Sequence, residues 1–216
     1  MKDWTFKNFA GNFDAHVREQ LPWYELVTES VAYIARNYLP TGGNIYDIGC
    51  STGNMTKALL PLVEERGGSI HAIDNDGSMI SAFLKNVNSI HVSAEHTTAE
   101  NYQYKSFDVA VVFLTAMFLP VGKQDRVIEN LYDNLNEGGA IIIVDKACDE
   151  NGYFSTVMKR LTMYWKLKNG AYAEDIINKE LSLSGVQRPL DGYLLNMLGA
   201  KQFFQLGEFK GWVIEK

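Results

Sequence analysis

"YDIGCSTGNMTKALL", residues 46–60, joins an apolar β-type run to a helical pattern through a small polar turn. Gly49 and Gly53 bracket that turn and leave it with little side chain. A glycine turn at the end of a strand lets a ligand reach backbone N–H groups and the N-terminus of the following helix. The flanking sequence shows whether this is the first turn of a parallel sheet.

It repeats the pattern. "NIYDIGC" reads as an apolar strand and "MTKALLPLVEERG" as a helix closed by Gly67. "SIHAID" is a strand, "GSMISAFLKNV" a helix and "SIHVSAE" a strand. "FDVAVVFLTAMF" opens with a buried strand, "KQDRVIENLYDNLNEGG" is a helix, and "AIIIVDK" is a second buried strand. Strands alternating with helices, with near-continuous apolar strands, predict a parallel sheet covered by helices on both faces.

The ends depart from this alternation. Residues 1–12 are polar and aromatic and read as loosely ordered. Residues 13–40 read as one or two helices, with Pro22 in the first turn of the second and Val27, Val31, Ile34 and Tyr38 on one face. Residues 152–184 read as helical, broken near "KNGAY", and "YLLNMLGA" as a short helix. "QFFQL" and "KGWVIE" read as two strands joined around Gly207 and Glu208. The expected fold is α/β: a doubly wound, mostly parallel sheet with an antiparallel C-terminal strand. One domain over 1–216 would carry a helical cap at 1–40 and a helical insert at 150–200.

Composition sets further bounds. The 216 residues include 46% hydrophobic and 21% charged, ordinary for a globular chain with one core. The net charge of −6, without a basic cluster, argues against direct nucleic-acid binding. No apolar stretch approaches the roughly 20 residues of a membrane span. The opening "MKDWTFKNFAGNFDAH" lacks the apolar segment of a secretory leader. Two cysteines, Cys50 and Cys148, make neither a disulfide framework nor a zinc spacing. A cytoplasmic protein with no metal and no membrane contact is expected.

The turn itself narrows the ligand. The spacing G-C-S-T-G is neither G-x-G-x-x-G nor a phosphate loop with its lysine. Asp74 closes the second strand 25 positions after Gly49, where an acid accepts both hydroxyls of a ribose. Asp47 closes the first strand, where it can take a hydrogen bond from an ammonium or from the turn. A nucleoside carrying an amino acid fits better than one carrying phosphates, and that describes S-adenosylmethionine. Gly49, Cys50, Ser51 and Gly53 form the turn, and Asn75 follows the ribose acid. Met79 packs either on the adenine or in the core. Glu95, or the backbone N–H beside it at His96, meets the adenine edge or simply faces solvent. At the end of the fourth strand Phe113, Leu114 and Met117 are apolar, and Thr115 is the one polar group.

These residues resemble the class I S-adenosylmethionine-dependent methyltransferases. More narrowly they resemble the carboxy-S-adenosylmethionine synthases of tRNA wobble-uridine modification. The likeness runs through "FDAHV", "LPWY", "YDIGCSTG", "AIDNDGSMI", "TAMFL", "LNEGGAIIIVDK" and "KLKNG". It implies a Rossmann-like fold, often dimeric, with Tyr24 against the cofactor. The turn at 49–51, Asp74, Glu95 and His96 would surround the nucleoside. The family reaction uses prephenate as carboxyl donor. Two places depart. The resemblance expects an asparagine where Phe113 stands, and an arginine for the added carboxylate where Glu180 stands. Three readings follow: a methyltransferase with an unidentified acceptor, a carboxy-S-adenosylmethionine synthase, or a non-catalytic binding protein. Tyr24, His96 and Glu180 are the candidate reactive side chains near the pocket. His16 and His71 read as structural, and Lys166, Lys168 and Arg188 as substitute cations.

Overall fold

A computed structural model describes residues 13–120, 122–148 and 152–216. The reading of residues 1–12 lies outside the described residues. Helices α1 (Phe13–Gln20) and α2 (Tyr24–Ala35) lead into β1 (Asn44–Ile48), α3 (Asn54–Arg66), β2 (Ser69–Asp74), α4 (Gly77–Asn86) and β3 (Val92–His96). Then come β4 (Phe107–Phe113), a 3₁₀ turn (Ala116–Phe118), α5 (Gln124–Asn134) and β5 (Leu135–Lys146). The chain ends with α6 (Gly152–Lys168), α7 (Ala173–Ser182), α8 (Tyr193–Met197), β6 (Lys201–Leu206) and β7 (Phe209–Glu215).

The strands form one sheet in the order β3-β2-β1-β4-β5-β7-β6. β1 to β5 pair in parallel, and β7 runs antiparallel to both β5 and β6. β1 therefore lies between β2 and β4, and the strand order reverses there. In open α/β sheets that reversal opens a crevice at the carboxyl ends of the strands.

The continuous apolar strands are explained by two cores. Side chains alternate across a strand with period two. Ile45, Val109, Val111 and Ile142 pack with Val27 and Val31 of α2 and Leu59 and Val63 of α3. Their neighbours Ile48, Val112, Ile141 and Ile143 pack on the opposite face with Ile128 and Leu131 of α5. A third cluster seats Ile80 and Phe83 of α4 on Ala72.

Three boundaries differ from the sequence reading. The helix read through "LNEGG" stops at Asn134, and those residues open a single twelve-residue strand. Asn136 donates to Asp108 Oδ1 at 2.9 Å, and a Cβ on Gly139 would lie 2.5 Å from the Asp108 carbonyl oxygen. Close approach to β4 therefore draws this glycine-bearing segment into the sheet. β3 starts at Val92, after a turn that leaves Ile90 in solvent. Pro22 precedes the first turn of α2 instead of lying inside it.

The C-terminal helices gather on the β6–β7 side. Thr162 Oγ1 accepts from Glu208 N–H at 3.1 Å, and a Cβ on Gly207 would lie 2.2 Å from the same oxygen. α6 is thus seated on the hairpin turn, which brings Lys166 and Glu208 to the same region. Among the described residues no helix is long and apolar enough to cross a membrane.

Candidate functional site

The turn after β1 is built by its own backbone. Gly49 N–H and Cys50 N–H both donate to the Ile73 carbonyl, at 2.8 and 3.0 Å. Ser51 N–H donates to Asp74 Oδ2 at 2.8 Å, and Asp76 N–H to Asp74 Oδ1 at 2.9 Å. The two acids expected at the strand ends thus become part of one frame, with Asp74 tying the β1 turn to the β2 turn. Asp47 accepts from Thr56 Oγ1 at 2.6 Å, so its protein partner is a helix side chain and not the turn. Burial, reinforced by the Asp74 charge, pushes the Asp47 carboxyl up to about 7 despite that bond. Burial also raises Asp74 above the ordinary carboxylate range.

The glycines have local reasons. Gly49 has φ +75°, and a Cβ there would lie 2.2 Å from Thr115 Oγ1. The missing side chain makes room for the end of β4 as well as for any ligand. Gly53 has φ +96°, and a Cβ would meet Val87 of the α4 end at 2.6 Å. Gly53 is a packing position that caps α3, away from the cavity wall.

In front of the turn lies a cavity of about 270 Å³. Tyr24, Asp47, Gly49, Cys50, Ser51, Asp74, Asn75, Met79 and Phe113 line it. Gly53, Glu95 and His96 do not. Glu95 and His96 are exposed at the end of β3, and His96 Nε2 lies 3.1 Å from the Asn75 carbonyl oxygen. The next residues along, Thr97, Ala99 and Glu100, reach the cavity in their place. The sequence reading missed these because β3 ends before the chain bends back under the site. Met79 is both buried and on the wall, and Ser51 Oγ approaches its sulfur at 3.5 Å.

Tyr24 closes the cavity from the N-terminal side. Its ring stands edge-on to Phe113, with centroids 5.5 Å apart, and Asn54 Nδ2 donates to its hydroxyl at 3.3 Å. Burial pushes that phenol up to about 12, so it stays protonated. Asp14 of α1 accepts from Thr52 Oγ1 at 2.6 Å and from Asn54 Nδ2 at 2.9 Å. These bonds fasten α1 to the glycine turn. Nothing in the spacing of Asp14 announced them.

The opposite wall follows β4. Leu114 has φ +56°, and Thr115 N–H and Met117 N–H turn inward to Asp145 Oδ2 at 3.0 and 3.3 Å. Lys146 N–H takes the other oxygen at 2.8 Å. Asp145 is fully buried, and burial pushes its carboxyl up to about 7. The sequence reading passed over this residue, and an acid directly after the buried run "AIIIV" is the signal that could have found it.

A second cavity of about 120 Å³ adjoins the first and shares Val17, Leu114 and Phe118 with it. His16, Lys146, Lys166, Lys179, Glu180 and Gln187 are among its polar lining, which Gln20 and Thr162 complete. Lys166 Nζ lies 3.3 Å from Glu180 Oε1, and Lys146 Nζ lies 3.8 Å from Glu180 Oε2 and 3.6 Å from Glu208 Oε2. Burial pushes Glu180 up, but Lys146 and Lys166 outweigh it and hold the carboxyl below its ordinary range. Glu180 is therefore a compensated charge, whereas the sequence alone presented it as a bare one. His16, read as structural, lines this cavity with its Nε2 3.2 Å from Lys179 Nζ. His71 lies elsewhere, bonded to Ser93 Oγ at 2.9 Å. Of the substitute cations, only Lys166 is here. Lys168 stacks 4.6 Å from the Trp165 ring, and the Arg188 side chain is exposed.

A methyltransferase domain model matches residues 45–139, which span β1 to the start of β5. The carboxy-S-adenosyl-L-methionine synthase of Staphylococcus epidermidis is 30% identical over 189 residues, covering 87% of this chain and 82% of that protein. Among solved structures, the DhpI complex with S-adenosylhomocysteine matches with a TM-score of 0.64 at 12% identity, covering 96% of this chain and 91% of that one. Human N-acetylserotonin methyltransferase in complex with S-adenosylmethionine matches with a TM-score of 0.58 at 13% identity. That match covers 91% of this chain but only about half of the human one, 53%. At such identities the structural matches speak for the fold.

Proposed function

The chain belongs to the carboxy-S-adenosyl-L-methionine synthase family of S-adenosylmethionine-dependent transferases, and from that premise we propose that it binds S-adenosylmethionine in the larger cavity and serves an acceptor in the adjoining one. The donor set fits that cofactor. Asp74 offers each carboxylate oxygen to one backbone N–H and retains a lone pair on each for ribose hydroxyls. Asp47 faces the same cavity with the hydroxyl and backbone N–H of Thr56 as its partners, leaving capacity for an ammonium. Met79, Ala99 and Leu119 supply an apolar surface for a base. When bound, S-adenosylmethionine supplies an electrophilic methyl on a sulfonium.

What the protein does is position and exclude water. Tyr24 and Phe113 form a wall beside the turn, and α1 is pinned across it through Asp14. A hydroxyl held protonated and a ring packed edge-on suit Tyr24 to orienting a neighbour, not to taking a proton. No dedicated base is needed where the acceptor is already nucleophilic.

The observation that carries this reading is Asp74, bound to both turns and open to the cavity at the strand-order reversal. Calorimetry with S-adenosylhomocysteine tests it. Asp74→Ala should weaken binding by about 2 kcal/mol or more, the scale of charge-assisted hydrogen bonds. Unchanged affinity in that variant removes Asp74 from the site.

A second reading, synthesis of carboxy-S-adenosylmethionine, is favoured by the activity for which the bacterial relative is named. Against it, among the described residues neither cavity wall carries an arginine, and Glu180 stands where the resemblance expects one. We expect methyl transfer to be the main activity. Incubation with S-adenosylmethionine and prephenate, followed by mass spectrometry, separates the two, since rapid appearance of the carboxylated nucleoside favours the second.

A further inference from the structure

The second cavity holds more charge than a packing defect would. Lys146, Lys166 and Lys179 come from three elements, β5, α6 and α7, and converge on one space. Apolar groups complete its wall, among them Leu21, Met117 and Phe209. Withdrawing an ammonium from water is costly unless a counter-ion is supplied. Lys146 and Lys166 have theirs in Glu180 and Glu208. Among the described residues Lys179 makes no ion pair, and its neighbour across the cavity is the His16 ring. Burial first, then the Lys166 charge, pulls the Lys179 ammonium down to about 8 against the weaker effect of the Glu180 carboxylate, so it still carries its proton at neutral pH. Burial and Lys179 lower His16 as well, which keeps the imidazole from acting as a second cation.

Among the described residues, three ammoniums set against Glu180 and against Glu208 beside Lys146 leave one positive charge, in a cavity with an apolar wall that adjoins the first cavity. We propose that this compartment binds the acceptor as a monoanion with an apolar body, its carboxylate paired with Lys179, and that Glu180 disfavours dianions by occupying Lys146 and Lys166. The proposal rests on the larger cavity being the cofactor site and adds the acceptor's charge class. Gln187, which accepts from Lys146 Nζ at 3.2 Å, holds that lysine back on the glutamate side. The arrangement is selective because each carboxylate already present repels a second incoming one at short range, where screening by water is weakest.

Three nearly isosteric probes separate charge from shape: 4-methylbenzoate, 4-methylbenzamide and terephthalate. Each is titrated calorimetrically into the full chain, with and without saturating S-adenosylhomocysteine, so the anion site is read independently of the cofactor. The monoanion should bind at least about tenfold more tightly than the amide or the dianion, the scale of a charge-assisted contact. Lys179→Met should reduce it to the level of the amide, and Lys179→Arg should keep most of it. Glu180→Gln should bring terephthalate up to the monoanion. Equal binding of amide and acid, unchanged binding in Lys179→Met, a preference for terephthalate in the unmodified chain, or no binding of any probe would each overturn the proposal. No binding of S-adenosylhomocysteine, with the monoanion preference intact, would overturn the cofactor reading and the acceptor role that rests on it, and would leave a monoanion site of another use.

Discussion

Replacing Asp145 by asparagine tests how the cavity wall is held. The carboxylate accepts from Lys146 N–H on one oxygen and from Thr115 and Met117 N–H on the other, in a fully buried position. An asparagine can keep its oxygen toward Thr115 and Met117. Its amide nitrogen then faces the Lys146 N–H, donor against donor. The lost bond to a charged acceptor is worth about 1.5–3 kcal/mol, and a stranded buried donor about 1–3. Above about pH 7 the relief from burying a charge offsets most of this, so the loss is read at pH 5, where Asp145 carries its proton and the stranded donor alone costs about 2 kcal/mol. For a chain of this size that lowers Tm by roughly 6 °C. Circular dichroism melts at pH 5 measure it. The pH dependence adds a second signature. Folded Asp145 keeps its proton up to about 7, whereas an unfolded aspartate releases it near pH ~4. The native state then binds more protons in that window, and this residue's contribution to stability rises as pH falls from about 7 toward about 4. The asparagine variant loses that contribution. A variant melting within about 2 °C of the parent, in the range of neutral surface changes, would refute the view that Asp145 anchors residues 115–117.

Two further outcomes follow from the same geometry. Asp47 is protonated in the ligand-free fold below about 7, yet an ammonium needs the carboxylate. Affinity for S-adenosylhomocysteine, measured by calorimetry, should therefore be full above neutrality and fall as pH drops through that value, and Asp47→Asn should flatten the profile. Gly49→Ala forces a side chain into left-handed backbone, 2.2 Å from Thr115 Oγ1. Strain and overpacking together should cost about 3 kcal/mol or more in urea unfolding, and a loss below about 1 kcal/mol would show that the turn yields.

The sheet was legible in the sequence because each central strand is buried on both faces. The runs at 44–48, 107–113 and 140–146 are apolar on both faces except near their ends, at Asn44, Asp47, Asp108, Asp145 and Lys146, and glycines and polar residues punctuate them. The hairpin was legible from Gly207, and the observed strands 201–206 and 209–215 flank it. Where the reading slipped, a long-range contact had overridden local pattern. "LNEGG" carries the Gly-Gly of a helix end, but Gly139 packs against the Asp108 carbonyl and Asn136 reaches the same residue. No window of neighbouring residues contains that information.

The site divides along the same line. The β1 turn and Asp74 could be read because their chemistry lies within one β-α-β unit, where strand ends and helix starts are set by sequence order. The second cavity could not. Its lysines are 20 and 13 positions apart along the chain, its partner histidine lies on α1, and Glu208 arrives from the hairpin turn. The seating of α6, through Thr162, on the hairpin turn at Gly207 brings them together. This changes the meaning of Glu180. Taken alone, a glutamate in place of an arginine reverses a charge and would repel any anion. Set between Lys146 and Lys166, it subtracts from a surplus instead. The compartment keeps one cation where a clamp for a dianion would need at least two. A single substitution read without its partners points toward a less anionic partner, whereas read with them it still leaves room for the anion we propose.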